Sequence, residues 1–176
     1  MATRASELTW LSAPARTIEP IAREHIAGFH AALDEIAQEG RFLALLEAPT
    51  LGQTRRFVLD SLRNGAVHLV ALADGRVVGW CELRPTAAST QRHSAVLGMG
   101  VVQPFRGQGL GTALLGASLR GARDRGFRRV ELVVRADNTR AIALYGRFGF
   151  IVEGTLRRYL CVDGADHDAL LMARLA

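Results

Sequence analysis

Residues 94 to 154 constrain the fold more than any other part of the chain. An apolar run, "SAVLGMGVV" (94 to 102), leads into the glycine-rich stretch "PFRGQGLGTALL" (104 to 115), and an apolar helical pattern covers 109 to 125. A second apolar strand (128 to 134), a second helix (138 to 148) and a third strand in "GFIVEGTL" follow. Glycine loses more backbone freedom on folding than any other residue. Gly107, Gly109 and Gly111 at the entrance to a helix therefore need a reason. The first N–H groups of a helix have no partner within it, and the helix dipole adds partial positive charge there. Glycines let a ligand approach that backbone closely. The stretch reads as an anion cradle, with Arg106 at its lip as a fixed cation. From the glycines alone, a flexible turn ahead of an ordinary helix stays open.

The flanking segments complete the pattern. Residues 15 to 18 read as a short strand. Ile21, Ile26, Phe29, Leu33 and Ile36 fall at helical spacing and predict a helix over 20 to 38. A second helix is expected over 51 to 64, with Phe57, Val58 and Leu62 inward and Asn64-Gly65 as its stop. "VHLVALADGRVVGWCELRP" is a hairpin about Asp74-Gly75. The helix from 109 is expected to turn Leu110, Ala113, Leu114 and Ala117 inward, and Asn138 to cap the next one. "DALLMARL" supplies a last strand, reached through "VDGAD". Hairpins followed by strand–helix–strand–helix–strand predict an α/β (α+β) fold, a mixed sheet covered by helices. At 176 residues the chain suits a single domain, 1 to 176.

Composition excludes several classes. The net charge is +5, and all 22 basic residues are arginine. Without lysine, neither a Walker P-loop nor a pyridoxal Schiff base can form. The arginines occur singly or in pairs and lack aromatic interleaving, so nucleic acid is not the expected partner. Cys81 and Cys161 have no disulfide or metal spacing and read as packed thiols, and no metal is expected. No apolar run is long enough to span a membrane, and "MATRASELTWLSAPAR" lacks a signal-peptide core, so a soluble cytoplasmic protein is expected. A Rossmann fingerprint fails because Thr112 stands where its third glycine belongs.

The stretch R-G-Q-G-L-G-T-A-L-L from Arg106 resembles the acyl-CoA pyrophosphate loop of the GNAT superfamily of N-acetyltransferases. "ELVVRADNTRAIALYGRFGFIVEG" (131 to 154) is similar to the second half of that signature, an asparagine followed by A-x-x-L-Y-x-x-x-G-F. The N-terminal third resembles the amino-acid and phosphinothricin acetyltransferase branch. The resemblance implies a mostly antiparallel sheet with helices on both faces and a splayed pair of central strands. It implies acetyl-CoA as co-substrate, held by Arg106, Gly107, Gln108, Gly109, Leu110, Gly111 and Thr112. The backbone of Gly100, Val101 and Val102 would pair with the pantetheine arm, and Asn138 would hydrogen-bond the cofactor. Gly98 and Gly100 suggest a bulge or a close approach in that strand. Homodimers are common in similar proteins.

Acyl transfer needs a neutral amine, a donor for the oxyanion and a proton for the leaving thiolate. By resemblance, Tyr145 protonates the thiolate and a backbone N–H near Met99 to Val101 serves the oxyanion. Glu82, on the hairpin strand, is a candidate base, beside His93, Glu35, Glu39 or water alone. Arg157 or Arg158 would clamp an acceptor carboxylate. The expected activity is N-acetylation of a small primary amine by direct attack in a ternary complex. The alternatives are peptide N-terminal acetylation and non-catalytic acyl-CoA sensing.

Overall fold

The computed structural model describes residues 16 to 176. The sheet has seven strands in the order β1-β2-β3-β4-β5-β7-β6. They are β1 (Arg16–Pro20), β2 (Val67–Ala73), β3 (Arg76–Pro85), β4 (Ser94–Val101), β5 (Arg129–Arg135), β6 (Ile151–Val162) and β7 (Ala165–Leu175). The helices are α1 (Ile26–Ala37), α2 (Leu51–Arg63), α3 (Leu110–Asp124) and α4 (Thr139–Arg147). Every neighbouring pair is antiparallel except β4 and β5, which are joined by the α3 crossover.

Turn chemistry sets both hairpins. Asp74 and Gly75 have φ of 49° and 77°, and Asp163 and Gly164 have 51° and 76°. Paired positive φ is what an Asp-Gly hairpin turn requires. The first hairpin is irregular. Ala73 pairs with Arg76 and Leu72 with Val77, but Ala71 pairs with Gly79, leaving Val78 as a bulge. In an unbroken ladder His68 would face Cys81, whereas the bulge sets it opposite Glu82.

α1 and α2 cover one face of the sheet and α3 the other. Phe29 of α1 stands edge-on to Trp80 at 5.4 Å, while Leu114 of α3 lies against Gly79 on the opposite face. α4 lies along α3, with Leu144 at Gly111 and Phe148 at Gly116. Several inward positions differ from the expectation. Leu62 is exposed, and the buried residues of α2 are Thr54, Val58 and Ser61. Ala113 is exposed, while Leu115, Ser118, Leu119 and Ala122 join Leu110 and Leu114 inside. α3 crosses β2, β3 and β4 with its buried stripe turned further round than the pattern suggested. α1 begins after a 3₁₀ turn at Arg23–His25 rather than at Pro20. Cys161 is exposed on β6, not packed.

β4 and β5 pair only over Ser94 to Val96 and Arg129 to Glu131, then part. β4 stays on β3 to its end, and β5 stays on β7. The result is the splayed central pair. β4 carries no bulge against β3, because the register runs unbroken from Pro85/Ala95 to Gly79/Val101. Its glycines make room for side chains of the neighbouring strand. A Cβ on Gly100 would meet the Trp80 ring at 2.4 Å, and one on Gly98 would meet Glu82 Oε1 at 2.9 Å.

These contacts predict that Gly100→Ala destabilises the protein by about 1–3 kcal/mol through overpacking. Gly52→Ala, in α2 with open space around its Cβ, stabilises by about 0.5–1 kcal/mol. Urea unfolding of both variants measures the contrast.

Candidate active site

The glycine loop closes the open end of the splay. Gly107 and Gly109 have φ of 79° and 82°, so these two positions require glycine, and Gly109 is the residue that starts α3. Among the described residues, the N–H groups of 107 to 112 donate to no protein acceptor, although Ala113 N–H reaches the Gly109 carbonyl. A run of free N–H groups at a helix start favours an oxyanion. Gln108 folds back on the loop, donating from Nε2 to the Pro104 carbonyl at 2.7 Å and accepting from Arg16. Leu110 is buried as the loop's anchor, and Thr112 is exposed.

Arg106 turns its guanidinium to the protein. Its Nε donates to the Val101 carbonyl at 2.6 Å, and its two terminal nitrogens grip the Glu39 carboxylate at 2.8 and 2.5 Å. Its guanidinium also lies 5.1 Å from the centre of the Phe42 ring. Three of its five N–H groups are thus committed to the protein. The cation beside the cradle is Arg140, in the first turn of α4, whose Nη2 stands 2.8 Å from where a Gly107 Cβ would be. Sequence reading missed it. The available signal was an arginine in a helical first turn, where the dipole disfavours positive charge.

Alternation decides which backbone groups face the gap. Val102 N–H donates to the Val78 carbonyl at 3.0 Å, so Val102 and, two residues back, Gly100 point to β3. That corrects the expectation that Gly100, Val101 and Val102 all offer themselves to a ligand. Met99 and Val101 face the gap, and the Val101 carbonyl is already taken by Arg106.

Glu82 is buried on the α1/α2 face, beside the point where β4 leaves β5. Burial raises its carboxyl from 4.5 to about 7, and Arg84, whose Nε lies 3.3 Å from Oε1, opposes that rise. His68, opposite it, is lowered from 6.5 to about 4, by burial and then by Arg84. The other proposed bases are occupied or distant. Glu35 pairs with Arg76 at 2.5 Å and Glu39 with Arg106. His93 precedes β4, whose eight residues separate it from the glycine loop.

Tyr145 is 7% exposed and tilts against Phe150 at 5.7 Å. Burial holds its phenol well above the usual value, with the nearby Cys81 adding to the rise, so the group keeps its proton. Cys81 points from β3 to the face opposite Glu82, and Tyr145 lies on that same face. Burial pushes the Cys81 thiol up to about 12, which leaves no reactive thiolate. Asn138 accepts the Ala141 N–H at 3.2 Å as the cap of α4. Arg158 is exposed, with its Nε 3.3 Å from Asp166 and its N–H donated to Asp168.

Comparison with known proteins agrees with this geometry. Residues 18–150 match the acetyltransferase (GNAT) family, and the chain belongs to that family. The L-amino acid N-acetyltransferase AaaT of Escherichia coli K12 is 35% identical over 115 residues, 64% of this chain and 70% of that protein. An N-alpha-acetyltransferase of Sulfolobus acidocaldarius is 35% identical over 127 residues, 66% of this chain and 74% of its own. The chain also matches mycothiol acetyltransferases, but spans only about a quarter of their length. The fold is that of a phosphinothricin acetyltransferase from Sinorhizobium meliloti in complex with AcCoA. The TM-score is 0.86 at 21% identity, covering 91% of this chain and 88% of that one.

The buried pair gives a pH signature in stability. Between pH 4.5 and about 7 the folded state holds a proton on Glu82 that the unfolded state lacks, so this group lowers stability as pH rises. Between about 4 and 6.5 the unfolded state holds a proton on His68 that the folded state lacks, so this group raises it. The two slopes cancel over most of the window. Glu82→Gln unmasks a stability that climbs from pH 4 to 6.5, and His68→Phe one that falls as pH rises from 4.5 through the folded-state midpoint of Glu82. Each slope approaches about 1.4 kcal/mol per pH unit, measurable by denaturant titration across pH.

Proposed function

We propose that this chain, as one transferase domain, moves an acetyl group from acetyl-CoA to a small primary amine, an amino acid or an analogue. The attack is direct, in a ternary complex. The observation that carries this reading is the splay itself, with free N–H groups at its mouth, a buried carboxyl on one face and a buried phenol on the other. The pyrophosphate lies on the N–H groups of 107 to 112, with Arg140 against it. The pantetheine arm pairs with the gap-facing groups of Met99 and Val101. The neutral amine attacks the thioester carbonyl, and a Met99 or Val101 N–H donates to the oxyanion. The C–S bond then breaks, Tyr145 gives its proton to the thiolate, and Glu82 takes the proton the amine loses. The inert Cys81 favours direct transfer over an acetyl-enzyme. The E. coli relative's name supports an amino-acid acceptor, and the S. meliloti complex supports the co-substrate. The archaeal relative's name favours a second reading, in which the acceptor is a peptide N-terminus.

A thiol-release screen over amino acids, polyamines, aminoglycosides and N-terminal peptides is expected to respond to an amino acid or a close analogue. CoA binding with silence across the panel would refute a catalytic role. Tyr145→Phe is expected to lower kcat about a hundredfold while acetyl-CoA still binds.

Arg140→Gln is expected to raise the KM for acetyl-CoA about tenfold, a charge-assisted contact's worth. The effect should shrink at high salt. An unchanged KM would place the phosphate elsewhere.

A further inference from the structure

His68 of β2 is the buried titratable group that the scheme above leaves without a task. It lies directly across from Glu82 in the ladder. Its ring stands edge-on to Phe29 at 5.0 Å and 5.9 Å from Phe57. Neither ring nitrogen has a hydrogen-bond partner, and neither has Glu82 Oε2. Nδ1 faces that orphaned oxygen at 3.9 Å. Buried polar atoms left unpaired are costly, and two such atoms facing each other can relieve that cost only together. The 3.9 Å gap closes with a small side-chain rotation or one bridging water.

The surroundings isolate the pair. α1 presents Phe29 and α2 presents Phe57, while β4 presents Gly98, whose missing side chain leaves Glu82 its space. α1's His30 is engaged with Thr54, and α2's Asp60 with Arg63. Among the described residues, Arg84 is the charge that acts on both members. It holds Glu82 Oε1 and lies over the Phe57 ring at 5.6 Å, half-exposed, beside a cleft of about 410 Å³ between α2 and the end of β3. One carboxylate oxygen is thus tied to a cation, and the other has only the imidazole.

We propose that His68 is a positioning residue for Glu82. As a neutral imidazole it donates an N–H to Oε2, which fixes the carboxylate's rotamer and favours its ionised, proton-accepting form. The inference rests on the reading of Glu82 as the base. Burial alone pushes the carboxyl toward the acid form, and without the His68 donor less of it would be ionised at neutral pH. A neutral ring suits this task, because an imidazolium between Arg84 and two phenyl rings would be strongly disfavoured.

The test reads Glu82 directly. In protein labelled with ¹³C-carboxyl glutamate, the Glu82 resonance is assigned by its loss in Glu82→Gln, and its titration is followed in wild type, His68→Phe and His68→Gln. His68→Phe is expected to move the Glu82 midpoint up by about one pH unit and the acid limb of kcat/KM with it. That is a tenfold loss of rate below the midpoint which vanishes well above it. His68→Gln, which keeps an N–H, regains most of the shift. If Phe is not tolerated, His68→Met serves as the donorless variant. An unmoved midpoint in the donorless variant overturns the proposal, as does an equal shift in His68→Gln. A fully active Glu82→Gln would instead remove Glu82 as the base, while the carboxyl titration still decides whether His68 acts on it.

Discussion

Two arginines hold the sheet open where β4 parts from β5. Arg106 joins the Val101 carbonyl at the tip of β4 to Glu39, and Arg135 at the tip of β5 reaches the Gly40 carbonyl at 3.4 Å. Both tips are therefore tied to consecutive residues at the end of α1. Arg135 is itself clamped by Asp137 and lies 3.2 Å from His167 of β7, so its wall is stiff. Backbone groups that leave a ladder want partners, and parallel strands three residues into pairing would otherwise continue it. The braces let Met99 and Val101 face a gap instead of β5. Guanidinium suits this work because its planar fork can serve a carbonyl and a carboxylate at once. The charge that first looked like a ligand's cation is thus part of the frame, and the loop itself presents backbone N–H groups with Arg140 beside Gly107.

The sheet also separates the two groups proposed to handle protons. Glu82 lies on the α1/α2 face against aromatic rings, and Tyr145 lies on the α3/α4 face near Cys81. A sheet paired throughout would insulate one from the other. At the splay β4 parts from β5, and on the Glu82 face the side chains of Glu82 and Trp80 fill the space that Gly98 and Gly100 leave. Burial acts on both groups in a useful direction. It lifts the carboxyl to about 7, where it can accept a proton near neutral pH, and it keeps the phenol protonated. One physical cause, removal from water, raises both groups, as the proposed proton transfers need.

Much of this was legible in the chain. Asp-Gly dipeptides gave both hairpins, because few other residues accept the paired positive φ. Gly107 and Gly109 gave the loop, and Asn138 gave the start of α4. The loop and the L-Y motif together gave the family. Other features were hidden for physical reasons. Leu62 and Ala113 carry apolar side chains at helical spacing, yet a helix's buried stripe is set by how the helix crosses the sheet. Gly98 and Gly100 announced a close approach, but not that Trp80 and Glu82 were what approached. The guanidinium of Arg106 can reach inward or outward, and only Glu39, from a distant part of the sequence, decides which.

The sequence by itself determined the order of elements, the turns and the glycine loop at the start of α3, because those depend on local backbone conformation and periodicity. Tertiary structure decided which charges meet. A single extra residue at Val78 moves His68 from opposite Cys81 to opposite Glu82, since each step along a strand reverses the face a side chain takes. The buried pair therefore exists only because the ladder slips by one. No local pattern in the chain records that slip.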